Sequence, residues 1–163
     1  MVRKGDESTS GGPTTLFADD IAVGERVTLD EYTLTRDEII EFASSWDDQW
    51  FHTDEAAAAQ GHFGEVIASG IHTLAILQKL TVRAVYRRWA VVAGRGLDRV
   101  RFVEAVRPGD TLTGTIDVTE VVLDERRGRV TMEQKVVNQH GRTVLVADLS
   151  VTVFRRPERG TLA

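Results

Sequence analysis

Cysteine is absent from this chain of 163 residues. Its absence excludes disulfides, thiolate metal sites and a thiol nucleophile. A chain without thiols sits easily in a reducing compartment, and a cytoplasmic location is expected. Long apolar runs are also lacking. None approaches the ~20 residues of a membrane-spanning helix, so no membrane partner is expected. Basic charge is not in excess: 25 acidic side chains face 20 basic ones, a net charge of -5. Charge alone therefore predicts no nucleic-acid surface. The opening stretch MVRKGDESTSGGPTT has no apolar core behind its charges and does not read as a secretory signal. Its Gly, Ser and Thr content predicts a disordered tail over 1–15, and a short C-terminal tail is expected over 157–163. The remainder, 16–156, is long enough for one domain with a real core and too short for two.

Within that domain the pattern is strand, small helices, one long helix, then a run of strands. Val27, Leu29 and Tyr32 suggest a strand over 26–33. Thr35-Arg36-Asp37-Glu38 is a capping box that should open a short helix with Ile39, Ile40, Phe42 and Ala43 inward. Asp54 or Thr53 can cap a small helix over Glu55–Gln60. From Ile71 to about Arg88 the pattern is helical, and its first turns, with Ile71, Leu74, Ala75, Ile76 and Leu77, are apolar nearly all round. Such a helix is expected to be buried. Short strands are expected over 91–93 and 97–103, and long ones over Thr111–Leu123, 129–138 and Thr143–Phe154. Arg107-Pro108-Gly109-Asp110 suits a type II turn, and turns at 124–128 and 138–141 predict an antiparallel meander. An α+β fold with a curved sheet wrapped around the long helix buries these surfaces economically.

The chemistry concentrates in WDDQWFHTDEAAAAQGHFGEVIASGIHT, residues 46–73, which holds three of the four histidines. Asp47 stands five residues before His52 in an expected loop, and Ser69-Gly70 directly precedes the long helix. An acid, an imidazole and a helix N-terminus can polarise a carbonyl and move a proton beside it. Taken singly, Asp47 reads as a turn residue and His52 as a packed histidine. In register with Gly70, the pair reads as catalytic. His72 reads as structural or interfacial, with substrate contact as the second reading. His62 is expected on a lid-loop surface and His140 in a solvated hairpin turn. The spacing of His52, His62 and His72 fits no recognised metal-ligand pattern.

At these residues the chain resembles the MaoC-like, or (R)-specific enoyl-CoA hydratase, branch of the hotdog-fold proteins. Asp47, Gln49 and His52 match that family's D-x-N/Q-P-x-H element. Phe63, Gly64, Ile67, Ala68 and Gly70 match its F-G-x-x-I-A-x-G element, and Val100-Arg101-Phe102 with Val106-Arg107-Pro108-Gly109-Asp110 resembles its strand-turn-strand signature. Trp50 and Asp48 stand where the family often has proline, so the loop is expected to be held by packing of Trp50 and Phe51. The resemblance spans roughly residues 17–154. It implies a single hotdog domain and a hydro-lyase that adds water across a trans-2-enoyl thioester to give an (R)-3-hydroxyacyl thioester. It implies Asp47, His52 and Gly70 as catalytic residues, with Gln49, Trp50, Phe63, Ser69 and His72 near substrate. No cofactor is implied, and acyl-CoA is the implied partner. Arg99, Arg101 and Arg107 are candidates for the coenzyme phosphates.

Two other readings share the fold. A thioesterase would aim its water at the carbonyl carbon. A non-catalytic acyl-CoA-binding subunit of a larger dehydratase would follow if Trp50 filled the acyl channel. A lone copy should expose a strand edge and an apolar patch, so a homodimer, or a higher oligomer of dimers, is expected.

Overall fold

The computed structural model of the chain describes residues 14–157. The tail expected over 1–15 lies outside the described residues up to position 13, and that over 157–163 from position 158 onward. Six strands are described: β1 (Arg26–Thr28), β2 (Tyr32–Thr33), β3 (Val91–Phe102), β4 (Thr111–Leu123), β5 (Arg127–Val137) and β6 (Thr143–Phe154). The helices are α1 (Arg36–Trp46), α2 (Trp50–Thr53), α3 (Glu55–Gln60) and α4 (Gly70–Thr81). The strands pair antiparallel in the order β1-β4-β5-β6-β3, with β2 also on β4. The sheet curls around α4, which is the expected hotdog arrangement.

Alternation along the long strands builds the core. Leu112, Ile116 and Val118 of β4, Val130, Met132 and Val136 of β5, and Leu145, Ala147, Val151 and Val153 of β6 are buried on one face. Against them α4 lays Ile76, Leu77 and Leu80. One polar link crosses this dry layer. Gln134 of β5 donates to the Thr81 hydroxyl at 3.1 Å, and Thr81 donates to the Leu77 carbonyl. Gln134 and Thr81 thereby find partners inside the layer.

Four sequence expectations change. The helix expected over 71–88 is α-helical only to Thr81 and widens into a π turn over Val82–Tyr86. The helix is not buried all round, because the sheet covers one side only. Ile71 and Ala75 lie exposed and Leu74 is partly covered. The strand expected over 26–33 is two short pieces, and the two pieces expected over 91–103 are one irregular strand. β3 keeps its pairing with β6 through register shifts, including one between Asp98 and Arg101 where Arg99 takes φ 49°. At the turn after β3, Gly109 takes φ 86°, the left-handed position a type II turn assigns to glycine.

Candidate active site

Helix α1 starts where its capping box predicts. The Thr35 hydroxyl accepts from the Glu38 N–H at 3.2 Å, and the Glu38 carboxylate accepts from the Thr35 N–H at 2.9 Å. Eleven residues later the helix ends at Trp46 and delivers Asp47 as its C-cap. The segment expected to be an open loop then makes one helical turn, α2, which Thr53 braces by donating to the Gln49 carbonyl. That turn swings His52 inward. Aromatic packing replaces proline stiffness here: Trp50 meets Phe51 edge-on at 5.3 Å, and Phe51 lies 6.1 Å from Phe63. Beyond α3 the chain runs extended and buried through Val66, Ile67, Ala68 and Ser69. It is tied on both sides, by Ile67 N–H to the Phe51 carbonyl and Ala68 N–H to the Val106 carbonyl.

These constraints bring Asp47 and His52 together at the tip of α4. The His52 ring is buried, and its Nδ1 lies 2.6 Å from the Ile67 carbonyl. A carbonyl only accepts, so Nδ1 carries the proton and a neutral ring offers its Nε2 lone pair. Nε2 is 3.6 Å from Asp47 Oδ2. That span is too long for a direct hydrogen bond and suits one bridging water. Ser69 donates to the same Oδ2 at 2.6 Å, and Gln49 Nε2 donates to Oδ1 at 2.8 Å. The hydrogen bond from Ser69 first, and then that from Gln49, hold the Asp47 carboxyl below the usual carboxylate range against a smaller opposing effect of burial. It is therefore a carboxylate at neutral pH. Ser69 Oγ also accepts from the Ile71 N–H at 3.2 Å, so one hydroxyl both caps α4 and orients the acid.

Gly70 is the first residue of α4, where a backbone N–H has no acceptor within its own helix and the helix dipole is positive. A cavity of about 310 Å³ opens here, walled by His52, Phe63, Ala68, Gly70, Phe102 and Val144 among others. A Cβ built on Gly70 would come within 2.8 Å of the Phe102 ring. Glycine thus leaves room that the half-exposed Phe102 side chain occupies. Gly70 is not in the left-handed region.

Of the residues singled out in the sequence, Asp47, Gln49, His52, Ser69 and Gly70 converge, and Phe63 lines the cavity. Trp50 does not line it: its ring lies over Gly61, within 2.6 Å of where a Cβ there would sit. His72 faces away, stacked on Phe42 at 4.3 Å. His62 and His140 are exposed. Among the described residues, no cluster of His, Asp or Glu is arranged to hold a metal ion. Arg107 is engaged with Glu65 at 2.6 Å and the Phe63 carbonyl at 3.0 Å, and Arg99 with Asp148. The sequence reading missed the Ile67 carbonyl, which no side-chain pattern reveals. It also assigned no role to Phe102, although the Val100-Arg101-Phe102 match marked it.

Residues 20–141 match the model of the MaoC-like domain, and the chain belongs to that family. It is 30% identical over 138 residues to the uncharacterized protein YdeM of Bacillus subtilis, covering 84% of this chain and 98% of that one. It is 36% identical over 107 residues to 3-hydroxyacyl-thioester dehydratase Z of Mycobacterium tuberculosis, covering 61% of this chain and 68% of that one. Among solved structures, the MaoC-like dehydratase from Rhodospirillum rubrum superposes with a TM-score of 0.79 at 34% identity, over 88% of this chain and 99% of that one. The family includes hydratases and dehydratases, which supports a role of the lyase type.

Proposed function

We propose that this protein is an (R)-specific enoyl-CoA hydratase, working reversibly as a 3-hydroxyacyl-CoA dehydratase. The observation that carries the reading is the 3.6 Å gap between Asp47 Oδ2 and His52 Nε2 beside the N-terminus of α4. A water held to one side of the pair, within reach of both, donates one hydrogen toward each group and presents its lone pair to Cβ of a trans-2-enoyl thioester. As the O–Cβ bond forms, the C=C electron pair shifts through Cα toward the thioester oxygen. The Gly70 N–H, reinforced by the helix dipole, meets that developing charge. The proton lost by water passes to the Asp47–His52 pair and returns to Cα on the same face, which makes the addition syn. The R hand of the product rests on the family likeness, as does coenzyme A as the carrier. The name of the mycobacterial relative supports a thioester substrate.

The test is loss of enoyl absorbance with crotonyl-CoA, followed alongside release of free thiol. Hydration without thiol release is expected. Asp47→Asn keeps the shape and removes the base, and His52→Gln removes the proton carrier. Each is expected to lower turnover by at least ~10²-fold in protein that still melts cooperatively, with some loss of melting temperature in His52→Gln because the ring is buried and hydrogen-bonded. Thiol release without hydration would favour the thioesterase reading instead. The non-catalytic reading loses its motive, because the Trp50 ring lies over Gly61 and away from the cavity wall.

A further inference from the structure

One wall of the catalytic cavity is held from outside it. Phe63 lines the cavity. Arg107 does not line it, but its Nη1 donates to the Phe63 carbonyl at 3.0 Å and to Glu65 Oε1 at 2.6 Å. Resting on the hydratase reading above, we propose that Arg107 is a positioning residue. It straps the stretch 63–68 so that Phe63 stands as a fixed wall against the acyl group, and it does not bind the coenzyme phosphates.

The strap starts from a rigid point. The Arg107 N–H donates to Asp110 Oδ2 at 2.8 Å, and the Arg107 carbonyl accepts from the Asp110 N–H at 3.1 Å. Asp110 is 7% exposed, and its Oδ1 accepts from Gln139 Nε2 at 2.9 Å. The same turn is tied to Leu34, just before α1, by the Gly109 N–H on the Leu34 carbonyl and the Leu34 N–H on the Asp110 carbonyl. A planar guanidinium on so fixed a backbone gives up less freedom on binding than one on a loose loop.

The stretch it holds has little of its own to fix it. Gly61 and Gly64 bracket His62 and Phe63, and Gly64 takes φ 76°, a region that glycine enters at little cost. The turn closes through the Gly64 N–H on the Gly61 carbonyl at 3.2 Å. Further on, the Ala68 N–H donates to the Val106 carbonyl at 2.8 Å. Residues 106 and 107 therefore grip both ends of 63–68. Between the grips lie two groups of the candidate site, the Phe63 ring on the cavity and the Ile67 carbonyl at His52 Nδ1. The Phe63 ring also faces Phe51, with centres 6.1 Å apart, and Phe51 meets His52 edge-on at 4.4 Å. A slack strap would move the wall and, through these contacts, the imidazole.

Two other roles fit Arg107 less well. Its ion pair with Glu65 is nearly half exposed on both sides, and such pairs add little to stability. As a phosphate site the position is poor, because the Glu65 carboxylate already sits on the guanidinium and would repel the incoming charge. The bond to the Phe63 carbonyl has neither defect. It acts at one point, on one wall.

The test uses the full chain and butyryl thioesters, which are saturated and bind without reacting. One is carried on coenzyme A and the other on pantetheine, which has no phosphate, and binding is followed by calorimetric titration. Arg107→Gln is expected to weaken both by the same factor, roughly threefold to tenfold, the scale of one net hydrogen bond. Arg107→Lys keeps donors without the planar fork and should fall between. In a Phe63→Ala background, where the wall is gone, Arg107→Gln should cost nothing further. A merely structural role would leave its cost in place there. A loss confined to the coenzyme A thioester, no loss at all, or an undiminished cost in the Phe63→Ala background would each overturn the proposal. If Arg107→Gln does not fold, Arg107→Lys with both thioesters and in both backgrounds decides. The titration needs no turnover. Failure to hydrate crotonyl-CoA with the equal weakening intact would strike the reaction assignment alone. Hydration with a loss confined to the coenzyme A thioester would strike this inference alone.

Discussion

Ser69 shows how much one side chain settles. Its single hydroxyl hydrogen goes to Asp47 at 2.6 Å, so its lone pairs are left for the Ile71 N–H, and the helix start and the acid are aligned by the same atom. Ser69→Ala is expected to be milder than loss of Asp47 itself, because Gln49 still holds Oδ1. Gly70 beside it is a sharper probe. In Gly70→Ala the new methyl meets the Phe102 ring, which is 51% exposed and free to swing aside. Folding should survive. Turnover is expected to fall ~10²-fold if the methyl crowds a thioester oxygen at the Gly70 N–H, the scale of a lost oxyanion donor. Adding Phe102→Ala should not restore it. Rescue by the double variant, in steady-state kinetics, would mean that the glycine serves the ring and not the substrate. His72 makes a different prediction. Its folded pKa lies below its ordinary value, so between the two the unfolded chain binds more protons. Stability should therefore fall as pH drops below about 6.5, the unfolded value. His72→Phe is expected to flatten that part of the curve in denaturant titrations from pH 7 to 5.

At the scale of elements, α1 is a lever arm. Its start is set by the Thr35–Glu38 box, and its end carries Asp47. Thr35→Ala removes the cap and also one partner of Glu38. A loss of ~1 kcal/mol is expected in chemical denaturation. Turnover should change far less, since Ser69 and Gln49 hold Asp47 independently of the cap. A loss well below 0.3 kcal/mol would mean that Tyr32, which also donates to Glu38, holds the helix start alone. The elements that differ from the sequence reading do so for tertiary reasons. β3 stays continuous across Gly94 and Gly96 because β6 offers a full-length partner, and it absorbs the mismatch in register shifts. α2 forms because Trp50 can lay its ring on Gly61 and draw the backbone into a turn.

At the scale of the whole molecule, the described residues leave an apolar flank uncovered. A groove of about 300 Å³ between α4 and the sheet is lined by Ile71, Leu74, Ala75, Leu97 and Leu149, and it runs beside β3, an edge of the sheet among the described residues. Ile71 is 53% exposed and Leu97 43%. An unpaired edge next to an apolar groove is what a two-fold partner would cover. We therefore expect a dimer at micromolar concentration in sedimentation and a shift to monomer in Leu97→Asp. A monomeric parent would remove this expectation and leave the catalytic proposal standing.

Local chemistry by itself determined the capping box at Thr35, the turn at Gly109 and the alternating strands β4 and β6. Each depends on hydrogen bonds or side-chain periodicity within a few neighbours, so each is written along the chain. Tertiary structure decided what depends on distant approach. It put His52 Nδ1 against the Ile67 carbonyl, turned Trp50 onto Gly61, and set Phe102 over Gly70. It also sent Gly70 and His72, two residues apart, into separate cavities. The reason is geometric. Successive helical positions point about 100° apart, and which direction meets substrate, solvent or a neighbouring ring is fixed only when sheet and helices have packed.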